Sequence, residues 1–76
     1  MTTDVLRMIV ANGSNLILCR PIERGDLMDI ARIASETGAQ LTVSTQYTDD
    51  IIVELTRNYK GKITFIEGLN RFKATD

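Results

Sequence analysis

The chain repeats one short theme three times: an amphipathic segment, a glycine, and a β-rich run. Val5-Leu6-Arg7-Met8-Ile9 leads through Gly13 to Leu16-Ile17-Leu18-Cys19. Leu27-Met28-Asp29-Ile30-Ala31 leads through Gly38 to Leu41-Thr42-Val43-Ser44, and Ile52-Val53-Glu54-Leu55-Thr56 leads through Gly61 to Ile63-Thr64-Phe65-Ile66. With strand starts at 16, 41 and 63, the unit measures roughly 25 and then 22 residues, a range shared by helix-plus-strand repeats. A single unit of this kind cannot bury its apolar face, so neighbours must stack.

The first unit reads as a helix from Thr3 to Asn12, with Asp4 at the positive end of its dipole and Gly13 suited to a left-handed C-terminal position. A β-hairpin competes there, because Asn12-Gly13 is a favoured tight-turn dipeptide; the register of the other two units selects the helix. Asn15 to Arg20 follows as a strand, stopped by Pro21. The second helix enters at Gly25-Asp26 and runs to about Thr37, with Leu27, Ile30, Ala31 and Ala34 at the spacing of one helical face. Leu41 to Thr45 is the second strand. Thr48 with Asp49 and Asp50 forms a capped, acidic first turn for the third helix, whose apolar stripe is Ile52, Leu55 and Tyr59. Lys62 to Glu67 is the last strand.

An αβαβαβ order predicts parallel strands joined by helical crossovers. Leu16, Leu18, Leu41, Val43, Ile63 and Phe65 make one continuous apolar face. Their alternates are Ile17, Cys19, Thr42, Ser44, Thr64 and Ile66, a mixed set unlike strands buried on both sides. The expected fold is therefore α/β: three helix-strand repeats, a parallel three-stranded sheet in the order 1-2-3, and all helices on one face. This is a short, solenoid-like two-layer domain over residues 1–67 with a C-terminal tail at 68–76. A Rossmann-like half, with helices on both faces, is the competing arrangement. The architecture looks like a three-repeat piece of a horseshoe-type α/β protein, an analogy that names no family.

Function is bounded mainly by exclusion. With 76 residues there is one small domain whose core is marginal. There is no histidine, which removes Ser-His, Cys-His and His-metal chemistry. The lone Cys19 allows no internal disulfide and points to a reducing, cytoplasmic setting. Apolar runs reach four residues, far short of the roughly 20 that a spanning helix needs, and Asp4 stands where a signal peptide is basic. Adjacent acids Asp49 and Asp50 diverge by about 100° on a helix, so the dipole explains them better than acid-base chemistry does. The three glycines precede strands rather than helices, the reverse of a phosphate loop. No catalytic residue, metal or cofactor is expected.

Two binding readings remain. The first helix carries Val5, Leu6, Met8, Ile9 and Val10 over an arc of roughly 200°, and a terminal repeat with nothing beyond it should be polar on its outer side. The expected function is a non-enzymatic protein-protein interaction module forming a homo-oligomer, a dimer in the simplest case. Its contact residues are Ile17, Cys19, Thr42, Thr64 and Ile66 on the uncovered sheet face, with Leu6 and Val10 as a second surface. The alternative is a small nucleic-acid or anion-binding regulator using Arg57, Lys60, Lys62, Arg71 and Lys73. The net charge of -1 disfavours it.

Overall fold

The computed structural model describes residues 2–67. Six elements follow one another: α1 (Thr3–Ala11), β1 (Leu16–Leu18), α2 (Arg24–Thr37), β2 (Leu41–Ser44), α3 (Asp49–Asn58) and β3 (Ile63–Ile66). The proposed tail at 68–76 lies outside the described residues. The strands form a parallel sheet in the order β1-β2-β3. The segment around Asn12-Gly13 is the end of a helix, not a hairpin.

The register confirms the division of faces. Leu16, Leu41 and Ile63 are aligned across the three strands, as are Leu18, Val43 and Phe65. Ile17, Thr42 and Thr64 make the alternate row. Leu16, Leu18, Leu41 and Val43 are buried in one cluster with Leu6 and Val10 of α1, Leu27, Ile30, Ala31 and Ala34 of α2, and Leu55 of α3. Ile63 and Phe65 pack against that cluster but stay half-buried. Both crossovers step the same way across the sheet, which puts α2 and α3 on the same side. A core shared by all three helices and a single row set of the strands is what that arrangement requires.

Local chemistry fixes the ends of the helices. Thr2 caps α1: its Oγ1 accepts from the Val5 N–H at 3.4 Å. Gly38 ends α2 in the left-handed conformation, φ 81°, a cost-free geometry only for a residue without Cβ. Helix α2 begins at Arg24 because Glu23 is already extended at φ -62° and ψ 148°, a conformation that starts a helix without a glycine. Helix α3 stops at Asn58, so Tyr59 leaves the helical stripe assigned to it and instead packs half-buried against the core.

Ion pairs link neighbouring helices. Arg7 of α1 reaches Asp26 and Asp29 of α2, each at 2.7 Å, and Arg24 of α2 pairs with Glu54 of α3. At the strand starts, the Leu16 N–H donates to the Gln40 carbonyl at 2.9 Å, and the Gln40 N–H donates to Asn15 Oδ1 at 2.9 Å. At the opposite end, the Ile22 N–H donates to the Tyr47 hydroxyl at 3.2 Å, tying the loop after β1 to the loop after β2.

Candidate functional site

Strand β1 is an edge strand among the described residues, and α1 does not close that edge. The Leu16 N–H points at β2, so the N–H and C=O of its neighbour Ile17 point the other way, into the open. A groove of about 400 Å³ runs along this edge. It is bordered by consecutive residues of β1, from both faces of the pleat, which places it beside the strand rather than above or below it. Leu6 and Ile9 of α1 form its roof, and Leu16, Leu18, Ile22 and Cys19 continue its wall. The helix thus overhangs a position where a further strand would lie.

The alternate row of the sheet brings Ile17, Thr42 and Thr64 side by side, as expected. Ile17 is 62% exposed, a high value for a branched apolar side chain in the middle of a strand. Thr64 is exposed and Thr42 half-buried. Toward the strand ends the pattern changes. Cys19 is exposed but lies just past β1, and Ile66 is half-buried. Ser44, aligned with Ile66, is wholly buried. The second face is therefore open at its Ile17 end and covered at its Ser44 end, rather than uniformly bare.

The second surface assigned from sequence is corrected. Leu6 is 9% exposed and Val10 is fully buried, so both belong to the core. The apolar arc of α1 has the expected width, but the helix is rotated from the expected setting. Arg7, held by the α2 carboxylates, fixes that rotation and turns Leu6 and Val10 inward. Val5 and Met8 are the residues left on the outside. Nothing in the hydrophobic pattern alone distinguishes the two rotations; the pairing of Arg7 with Asp26 and Asp29 was the missing signal.

Local structure sets the charge of two of the remaining carboxyls. The Thr48 hydroxyl, with backbone N–H groups of the first turn, holds the Asp50 carboxyl below the usual carboxylate range. Arg32 and then Arg7 do the same for Asp29. Among the described residues no cluster of three or more His, Cys, Asp or Glu side chains has a metal-binding arrangement, and no helix is long and apolar enough to cross a membrane. Of the basic residues, Arg57, Lys60 and Lys62 are exposed at the end of α3 and the turn into β3. Lys62 Nζ donates to Ser35 Oγ at 3.2 Å. Arg71 and Lys73 lie outside the described residues. A second, more polar cleft of about 340 Å³ lies between the end of α2 and the start of β3, beside Ser35, Gln40 and Lys62. Family models, curated proteins and solved structures were compared with the chain, and none matches.

Proposed function

We propose that this chain is a non-enzymatic protein-interaction module, built as a short stack of helix-strand repeats, that associates with further copies of itself. The observation that carries this is the β1 edge. Backbone groups of Ile17 without a partner among the described residues, an exposed Ile17 side chain and an apolar groove under α1 coincide there. An open strand edge is a template for pairing with another chain, and apolar side chains beside it supply the burial that stabilises such a pair. Exposed Cys19 and the Thr42–Thr64 row extend the same surface.

The nucleic-acid alternative has less support. The aromatic that would stack a base beside Arg57 and Lys60 is Tyr59, and its ring packs against the core.

Light scattering over a concentration series tests the proposal. Wild type is expected to gain mass with concentration, and Ile17→Lys to shift that gain to at least tenfold higher concentration. A wild-type protein that stays monomeric at millimolar concentration overturns the reading.

A further inference from the structure

Four large apolar side chains are exposed among the described residues: Val5 at 40%, Met8 at 61%, Ile17 at 62% and Val53 at 45%. Val5 and Met8 lie on α1, turned away from the Arg7 side that meets α2. Ile17 is on the β1 edge. Val53 is on α3, turned away from Leu55 in the core and outside the Glu54 contact with α2. Helix α2, which has a neighbour on each side, contributes none. Exposed large apolar side chains therefore occur at each end of the array, three at the first and Val53 at the last, and none in its middle. A stack that ended in solvent would carry polar outer faces at its terminal units.

The two ends also match as hydrogen-bonding edges. The Thr45 N–H donates to the Ile66 carbonyl at 3.1 Å, so Thr64 and Ile66 address β2. Ile63 and Phe65 therefore turn their N–H and C=O groups to the side of β3 where no described residue pairs with it. These are the groups that a parallel neighbour needs in order to bond the N–H and C=O of Ile17.

Resting on the self-association reading above, we infer that copies join head to tail, the β3 edge of one copy entering the groove beside β1 of the next. The sheet step seen twice within the chain, Leu16 to Leu41 and Leu41 to Ile63, is then taken a third time between chains. Ile63 of one copy aligns with Leu16 of the next, Thr64 with Ile17, and Phe65 with Leu18. Core residues meet core residues, and the alternate row continues. The Ile17 N–H bonds the Ile63 carbonyl, and the Phe65 N–H bonds the Ile17 carbonyl. Ile63 and Phe65, half-buried in the single chain, come to lie under the Leu6 and Ile9 roof. The same alignment brings Glu67 of one copy beside Arg20 of the next. Neither residue forms an ion pair among the described residues of its own chain. Such an interface is heterologous: it leaves a free head and a free tail after each addition, and grows into a ring or an open filament.

Mixing two end-blocked variants separates this arrangement from a symmetric dimer. Val5→Arg blocks the head beside the groove. Thr56→Arg blocks the tail, on the free flank of α3 where Thr56 is exposed. Each variant alone is expected to remain monomeric in sedimentation velocity or native mass spectrometry. Their equimolar mixture is expected to give a one-to-one pair and nothing larger. A charge swap gives an independent readout: Arg20→Glu or Glu67→Arg alone weakens association roughly five- to tenfold, and the double variant restores it. If Val5→Arg or Thr56→Arg alone still forms a stable dimer while wild type associates, head-to-tail joining is wrong and self-association stands. If wild type is monomeric throughout, both fall.

Discussion

Arg7 Nε donates to Asp29 Oδ2 at 2.7 Å, while Nη2 of the same guanidinium bonds Asp26 Oδ1 at the same distance. One side chain on α1 therefore grips two carboxylates a turn apart on α2, with Asp4 of its own helix as a third partner at 3.0 Å. That grip decides which side of a helix with a broad apolar arc faces solvent. Its charge-assisted bonds have directionality that hydrophobic burial lacks. Arg7→Gln keeps some hydrogen-bonding capacity but removes the fork. The expected result is faster amide exchange throughout α1 with little change at Leu41 and Val43 in the central strand. Equal loss of protection in α1 and β2 would show that Arg7 holds the whole fold rather than one helix.

The same rotation sets opposite outcomes for two apolar residues two positions apart. Val10 is fully buried and Met8 is 61% exposed. Val10→Ala removes buried methyl groups and leaves a void, a loss of roughly 2 kcal/mol. Met8→Ala should change stability by less than about 0.5 kcal/mol, as surface substitutions do. Urea unfolding with a common m-value checks the pair. Similar midpoints for the two variants would contradict the assigned rotation of α1.

How much of this was legible in the residues depends on the range of the forces involved. Strand order and register followed from Leu16, Leu41 and Ile63 each opening a short apolar-alternating run a few residues after a glycine, because pleat alternation is local to each strand. Gly38, at φ 81°, sits where helix α2 had to stop. The setting of α1 did not follow, because it depends on Arg7 meeting carboxylates 19 and 22 positions away. The covering of Ser44 and Ile66 was also out of reach. Thr-Val-Ser on a strand says which residues share a face, not what lies over that face. For the candidate site, Ile17 was correctly placed in the open. The groove beside it was not foreseen, since a vacancy under a helix leaves no mark on composition.

Acid should act on the α1–α2 contact. The Asp29 carboxyl is held below its ordinary value of 3.8, first by its hydrogen bond from Arg32 and then by that from Arg7. A carboxylate depressed in the folded state stabilises the fold above its unfolded pKa, and that contribution is lost as pH falls through the depressed folded value. Stability should therefore be level in this respect above about pH 5 and decline below about pH 4. Asp29→Asn should show lower stability at neutral pH and a shallower acid limb. A variant whose acid limb runs parallel to that of wild type would remove Asp29 from the cause.

The Tyr47 hydroxyl accepts from the Ile22 N–H at 3.2 Å while its ring packs against the core. Burial raises the phenol pKa above its ordinary 10.0, and the bond from Ile22 offsets part of that rise. Tyr47→Phe keeps the ring and leaves a partly buried N–H without its acceptor. The expected loss is about 1 kcal/mol, the usual net value of one such bond. It should be accompanied by faster exchange at the Ile22 amide, read directly by NMR. Unchanged exchange at Ile22 would mean that solvent already satisfies that amide.

Ser44 poses the converse case, a polar atom with no visible reward for burial. Its residue is fully buried, and Oγ has no hydrogen-bond partner among the described residues. A hydroxyl taken out of water without a partner costs on the order of 1–3 kcal/mol by protein mutational data. Alanine removes that oxygen and leaves a gap smaller than a methyl group, so the two effects oppose each other unequally. Ser44→Ala is expected to be neutral to about 1 kcal/mol more stable. For a domain of this size the upper end corresponds to a melting midpoint higher by about 4–8 °C. Because Ser44 aligns with Ile66 on β3, the substitution leaves the Ile17 end of the same face untouched and should not alter self-association. A loss of 1 kcal/mol or more would instead mean that Oγ is hydrogen-bonded in solution.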